Sequence, residues 1–145
     1  MSPLPTSTTL ATGLRAACTT HAVVLAYLFG SQARGTADRD IDVDVAVLLA
    51  DNVPPTARHH TRLELAVEFA RVLRVPLERL EVVVLEDVPT LLQFNAIRHG
   101  VLLYQLDVPT RKAFEVAVER RYDDEQPERE RETKRTLRRI LAARV

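Results

Sequence analysis

The chain has 145 residues, 46% hydrophobic and 28% charged, with 20 acidic against 20 basic side chains. That is room for one domain, residues 1–145, with a real core, and too little for two. Zero formal charge argues against a generic electrostatic grip on DNA or RNA, and a single cysteine, Cys18, excludes an internal disulfide and a multi-cysteine zinc site.

In chain order, residues 1–7 are rich in Pro, Ser and Thr and are expected to be flexible or extended. Residues 8–20 suit a helix, with Leu10, Leu14, Ala17 and Cys18 on one stripe. In that setting Cys18 reads as a packed small hydrophobe. Residues 23–29 form a continuous apolar run of strand length, ended by Gly30-Ser31 and a polar loop. Residues 41–49 predict a second strand, with Val43, Val45 and Val47 on the face opposite Asp42 and Asp44. After a turn at 51–55, the spacing of Leu63, Ala66, Val67, Ala70 and Leu73 predicts a helix over 56–73. Residues 80–85 read as a third strand, and Pro89 opens a helix that ends at His99 with Gly100 as its cap. A strand over 101–106 and helices over 109–122 and 128–143 complete the chain. The order α-β-loop-β-α-β-α-β-α-α predicts an α/β (α+β) fold, a mixed sheet of about four strands covered by helices. No apolar run is long enough for a signal peptide or membrane span, so a cytoplasmic protein with no membrane partner is expected.

The chemistry gathers in three places. Asp42 and Asp44 share one strand face, and Asp40 has the same parity. Such a face is either the wet side of an edge strand or a cation site, because same-face carboxylates repel without a counterion. Hard oxygen ligands suit Mg²⁺, which keeps waters and substrate phosphates as its other ligands. Gly30-Ser31 is either a plain strand-ending turn or a phosphate cradle. In the second reading the glycine admits the phosphate to the backbone, Ser31 supplies hydroxyl and N–H donors, and Arg34 neutralises oxygens. Glu81 is the one acidic residue inside the run 80–85. It either faces water from an edge strand or joins the aspartates to complete a cluster able to hold two cations. His21, His59, His60 and His99 lack metal-ligand spacing with one another. The segment 111–145 is dense in mixed charge, with apolar stripes at Phe114, Val118 and Tyr122 and at Leu137, Ile140 and Leu141, which either pack on the sheet or receive a partner.

Gly30-Ser31, ten residues, then Asp42-x-Asp44 resembles the signature of the DNA polymerase β-type nucleotidyltransferase superfamily. The segments GSQARG, DIDVDVAVLL, LEVVVLED and FNAIRHGVLLY resemble the minimal nucleotidyltransferases, which include the MntA-type antitoxins paired with HEPN-domain (HepT) toxins. The resemblance spans residues 10–105, and the C-terminal helices more loosely. It implies a polymerase β-like fold, a Mg²⁺-dependent transfer of AMP from ATP to a tyrosine of a HEPN ribonuclease toxin, and a higher-order complex with a toxin dimer. By the same resemblance, Gly30, Ser31 and Arg34 bind the triphosphate, Asp42 and Asp44 hold two Mg²⁺ ions, and Glu81 is the third carboxylate, a metal ligand and acceptor of the attacking hydroxyl's proton. Two departures stand out. Ile41 replaces a common serine and points away from the metal face, and Glu81 stands where the small members usually have Asp, its carboxylate about one bond length further out. The competing expectations are an antitoxin that acts by binding alone and a transferase acting on a small molecule of the aminoglycoside kind.

Overall fold

The computed structural model describes residues 7–29 and 42–144. Among these residues five helices and four strands follow the predicted order. The first helix, α1 (Ser7–Thr20), begins one residue earlier than expected, inside the stretch predicted to be flexible; the rest of that stretch lies outside the described residues. It lays Leu14, Ala17 and Cys18 into the core, and burial pushes the Cys18 thiol up to about 12, leaving it an inert packing group. A tight turn through Ala22, at φ 57°, delivers the chain into β1 (Val23–Phe29).

The sheet runs β3-β2-β1-β4. β2 (Val43–Leu49) and β4 (Val101–Gln105) flank β1 antiparallel, and β3 (Leu80–Val84) lies parallel to β2. The parallel pair requires a crossover, which α2 (Pro55–Leu73) supplies. Its start matches a proline at the first helical turn, and it ends at Arg74 in the left-handed conformation, φ 56°. One sheet face carries Val43, Val45, Val47, Leu80, Val82 and Val84 against α1 and α2, where Leu65 and Phe69 are fully buried. Each of those two side chains contributes about 1.5–3 kcal/mol through burial. The opposite face packs Leu25, Tyr27 and Ala46 against α3 (Thr90–His99) and α4 (Val108–Asp124). Asp107 caps α4 by accepting the Thr110 N–H at 2.7 Å, which holds its carboxyl below the usual carboxylate range.

Element ends depart from expectation where side chains intervene. β3 stops at Val84, and residues Leu85–Asp87 turn as a short 3-10 segment. Two contacts pin that turn: Glu86 accepts the Leu49 N–H at 3.0 Å, and Gln93 donates to the Leu85 carbonyl at 2.6 Å. Gln93 in turn accepts from Arg121 of α4 at 3.0 Å. Gln93→Leu is therefore expected to cost roughly 2 kcal/mol in urea unfolding, because it orphans a buried carbonyl and strips Arg121 of its partner. β2 begins at Val43, not at residue 41; Ile41 lies outside the described residues. β4 ends at Gln105, not at residue 106, although Leu106 still donates to the Val24 carbonyl at 2.8 Å.

The last helix, α5 (Gln126–Ala143), hangs on one aromatic stack. Tyr122 lies over Phe94 at 3.8 Å between centroids, and the Arg129 guanidinium covers the Tyr122 ring at 3.6 Å. The stripe Phe114, Val118 and Tyr122 thus packs inward, whereas Leu137, Ile140 and Leu141 of α5 stay exposed. No helix among the described residues is long and apolar enough to cross a membrane.

Candidate active site

Alternation along β2 sends Val43, Val45 and Val47 into the core under α1 and α2, so Asp44 must face the other way, as the sequence pattern predicts. Across the parallel pair Asp44 is in register with Glu81, and on its other side with Phe29. Glu81 sits between the buried Leu80 and Val82, so it projects from the same face as Asp44. Neighbouring strands lie about 4.8 Å apart, which makes the two carboxylates immediate cross-strand neighbours. Asp42, exposed just before β2 begins, adds a third negative charge at the same end.

Electrostatics records the crowding. The Asp44 carboxyl is held above the usual carboxylate range, first by burial and then by the charges of Glu81 and Asp42. No cation among its influences offsets them. Like charges opposite one another destabilise a sheet, so this end carries a standing electrostatic cost in the metal-free protein.

The donor set fits a hard divalent ion: three carboxylates, no sulfur, and an unneutralised charge on a half-buried aspartate. No three His, Cys, Asp or Glu side chains among the described residues yet stand close enough to hold a metal ion as they are. The backbone register already brings Asp44 and Glu81 together. Gly30, Ser31 and Arg34, which the sequence assigns to the triphosphate, lie outside the described residues.

Among the described residues β3 is an edge strand and Glu81 is exposed, as one of the two readings of the run 80–85 has it. Beside that edge runs a cleft of about 340 Å³, with Glu81, Val83 and Asp87 on one side and Arg58, His59 and Arg62 of α2 on the other. Arg58 is tied to Asp87 at 2.8 Å, while Arg62 bonds only His59, at 3.1 Å, among these residues. These α2 side chains were not singled out from sequence as functional. The i, i+4 spacing of Arg58 and Arg62 was the available signal, and it marks equally well a solvated helix face. His60 pairs with Glu64 at 2.7 Å on the exposed flank, and Arg98 and His99 are exposed at the end of α3.

The family described as polymerase beta, nucleotidyltransferase matches residues 14–108 of the chain. No curated relative matches it in sequence. Among solved structures, the chain is similar to a toxin–antitoxin complex with AMP-PNP, at 26% identity and a TM-score of 0.70, covering 88% of this chain and 98% of the other. A mutant of the toxin–antitoxin MntA-HpeT matches at 25% identity and a TM-score of 0.70, with 88% and 98% covered. The complex of a tri-AMPylated Shewanella oneidensis HEPN toxin with an MNT antitoxin shares the fold, at 24% identity and a TM-score of 0.65, over 88% and 96%.

Proposed function

The chain belongs to the polymerase beta nucleotidyltransferase family, and from that premise we propose that it is a Mg²⁺-dependent antitoxin that transfers AMP from ATP to a tyrosine of a HEPN-type toxin. The observation that carries this reading is the register of Asp44 with Glu81 at the end of the sheet where Asp42 enters. The solved likenesses support the partner: toxin–antitoxin complexes, one holding AMP-PNP and one a HEPN toxin already AMPylated.

In the reaction the acceptor oxygen attacks the α-phosphorus of ATP. A bond forms between that oxygen and phosphorus, the bond from phosphorus to the bridging oxygen breaks, and pyrophosphate leaves with the electron pair. Asp42 and Asp44 would hold two Mg²⁺ ions, with Glu81 as third ligand, and such ions would supply neutralisation of the charge that develops on the phosphoryl and leaving oxygens. Glu81, the most exposed strand carboxylate, takes the hydroxyl proton of the acceptor. Gly30, Ser31 and Arg34 bind the triphosphate. The transferase acts in the cytoplasm and engages the toxin as a protein partner.

Incubation with α-labelled ATP, Mg²⁺ and the product of the neighbouring gene as candidate toxin tests the reading. Label is expected on the toxin with the wild type and none with Asp42→Asn/Asp44→Asn. Equal labelling by the double variant, or none by the wild type, overturns it. Full neutralisation by the double variant without ATP would establish action by binding alone, and label on an aminoglycoside would move the acceptor to a small molecule.

A further inference from the structure

Outside the carboxylates, the least accounted-for feature of the described residues is the cleft along β3. Nothing among them pairs with the outer edge of that strand, because the sheet order ends there. An edge strand presents unpaired N–H and C=O groups, which form a template for another extended chain. The edge is walled, not flat: Arg58, His59 and Arg62 of α2 rise on one side, and Asp87 closes the 3-10 turn at its far end. Glu81 belongs at once to this cleft and to the carboxylate cluster beside Asp44.

We propose that the cleft receives the acceptor protein as an extended segment, paired main chain to main chain with β3, so that the acceptor hydroxyl lies beside Glu81. The inference rests on the transfer reading above and adds how the acceptor is held. Strand addition satisfies the free edge, which a helix cannot do, since its own backbone groups are spent internally. It also dictates an alternation. In an added strand, the residue level with Glu81 points to the Glu81 and Asp44 face, and its two neighbours point to the face covered by α2. There they meet the Arg62 guanidinium, which no carboxylate among the cleft residues neutralises, and His59 beside it. The preferred acceptor therefore carries an acidic side chain immediately before or after the modified residue. The edge from Glu81 to Val84 spans about 10 Å, enough to fix three or four residues of the incoming segment in register.

Amide hydrogen exchange of the full chain, with and without the toxin that is the acceptor in the proposed reaction, tests this directly. Amides within 81–84 are expected to exchange at least about tenfold more slowly when that toxin is present, because strand pairing ties up the outward N–H groups. In the labelled-ATP assay, Arg62→Glu is expected to raise the KM for the toxin about tenfold and to leave the KM for ATP unchanged. Label transfer with residues 81–84 unprotected, or with the toxin KM unmoved by Arg62→Glu, overturns the docking mode while transfer stands. Protection of 81–84 without any label transfer keeps the docking mode and sinks the transfer reading, and neither protection nor transfer ends both. The exchange arm uses the wild-type chain, so misfolding of the variant does not spare the inference.

Discussion

Asp44→Asn is expected to lower AMP transfer by about a thousandfold or more, and yet to leave the metal-free protein melting higher than the wild type. The first half follows from charge. A carboxylate that holds the cations at the reacting phosphate acts mainly in the transition state, and at about 1.4 kcal/mol per decade a thousandfold loss is about 4 kcal/mol. The second half follows from the crowding of Asp44 by burial, Glu81 and Asp42, which raises its pKa in the folded chain. A carboxylate raised from 3.8 binds its proton more tightly folded than unfolded. The metal-free wild type therefore loses stability as pH rises from 3.8 through the raised value. The neutral amide of the Asp44→Asn variant has no charge to lose and escapes that penalty. Thermal melts across pH 3–8 check the sign: the advantage of the variant should be absent at the acid end and full above the raised value. Added Mg²⁺ should reverse the order by stabilising only the wild type. A variant that melts lower than the metal-free wild type at neutral pH would show that Asp44 is held by a structural bond and not strained by its neighbours.

Gly100→Ala is expected to destabilise the fold by roughly 2–3 kcal/mol, lowering Tm by about 6–12 °C. The backbone there has φ −83°, which any residue tolerates, so the demand is spatial. A Cβ at Gly100 would stand 2.2 Å from the Ala96 carbonyl oxygen and 3.1 Å from that of Leu28. Both are main-chain atoms, one in α3 and one in β1, and neither can swing aside as a side chain would. The Gly100 N–H closes α3 onto the Ala96 carbonyl at 2.9 Å, and the very next residue, Val101, pairs with Leu28. Relief of the clash must pull α3 away from the end of β1, near the strand position that flanks Asp44. Calorimetry reads the loss, and transfer per folded molecule should fall little if the disturbance stays local.

Legibility differed from element to element. Helix α2 was legible from its helical spacing, but its buried face was only partly so: Ala70 and Leu73 of the expected stripe are buried, Leu63 and Val67 are exposed, and Leu65 and Phe69, outside that stripe, are fully buried. The end of β3 was hidden because Leu85 is as apolar as the strand before it. What turns the chain there is a carboxylate from Glu86 reaching Leu49, 37 positions back, and an amide from Gln93. The exposure of Glu81 was left open by the sequence for a related reason. An apolar run reads the same in a central strand and in an edge strand whose helix-covered face is full. The cleft of Arg58 and Arg62 could not be foreseen, since it exists only where α2 overhangs an edge.

By itself the sequence determined the parity of Asp42 and Asp44 against the valines between them, the order of elements and the spacing of Gly30-Ser31 from the aspartates. All three are local, set by how one residue orients relative to its neighbours along the chain. Only the tertiary structure decided that β3 lies beside β2, parallel and in the register that sets Glu81 against Asp44. That pairing depends on the 19-residue helix that carries the chain back across the sheet and on the burial of its apolar face. Side-chain parity can be read from a strand alone, but its partner is chosen by how the intervening helix packs.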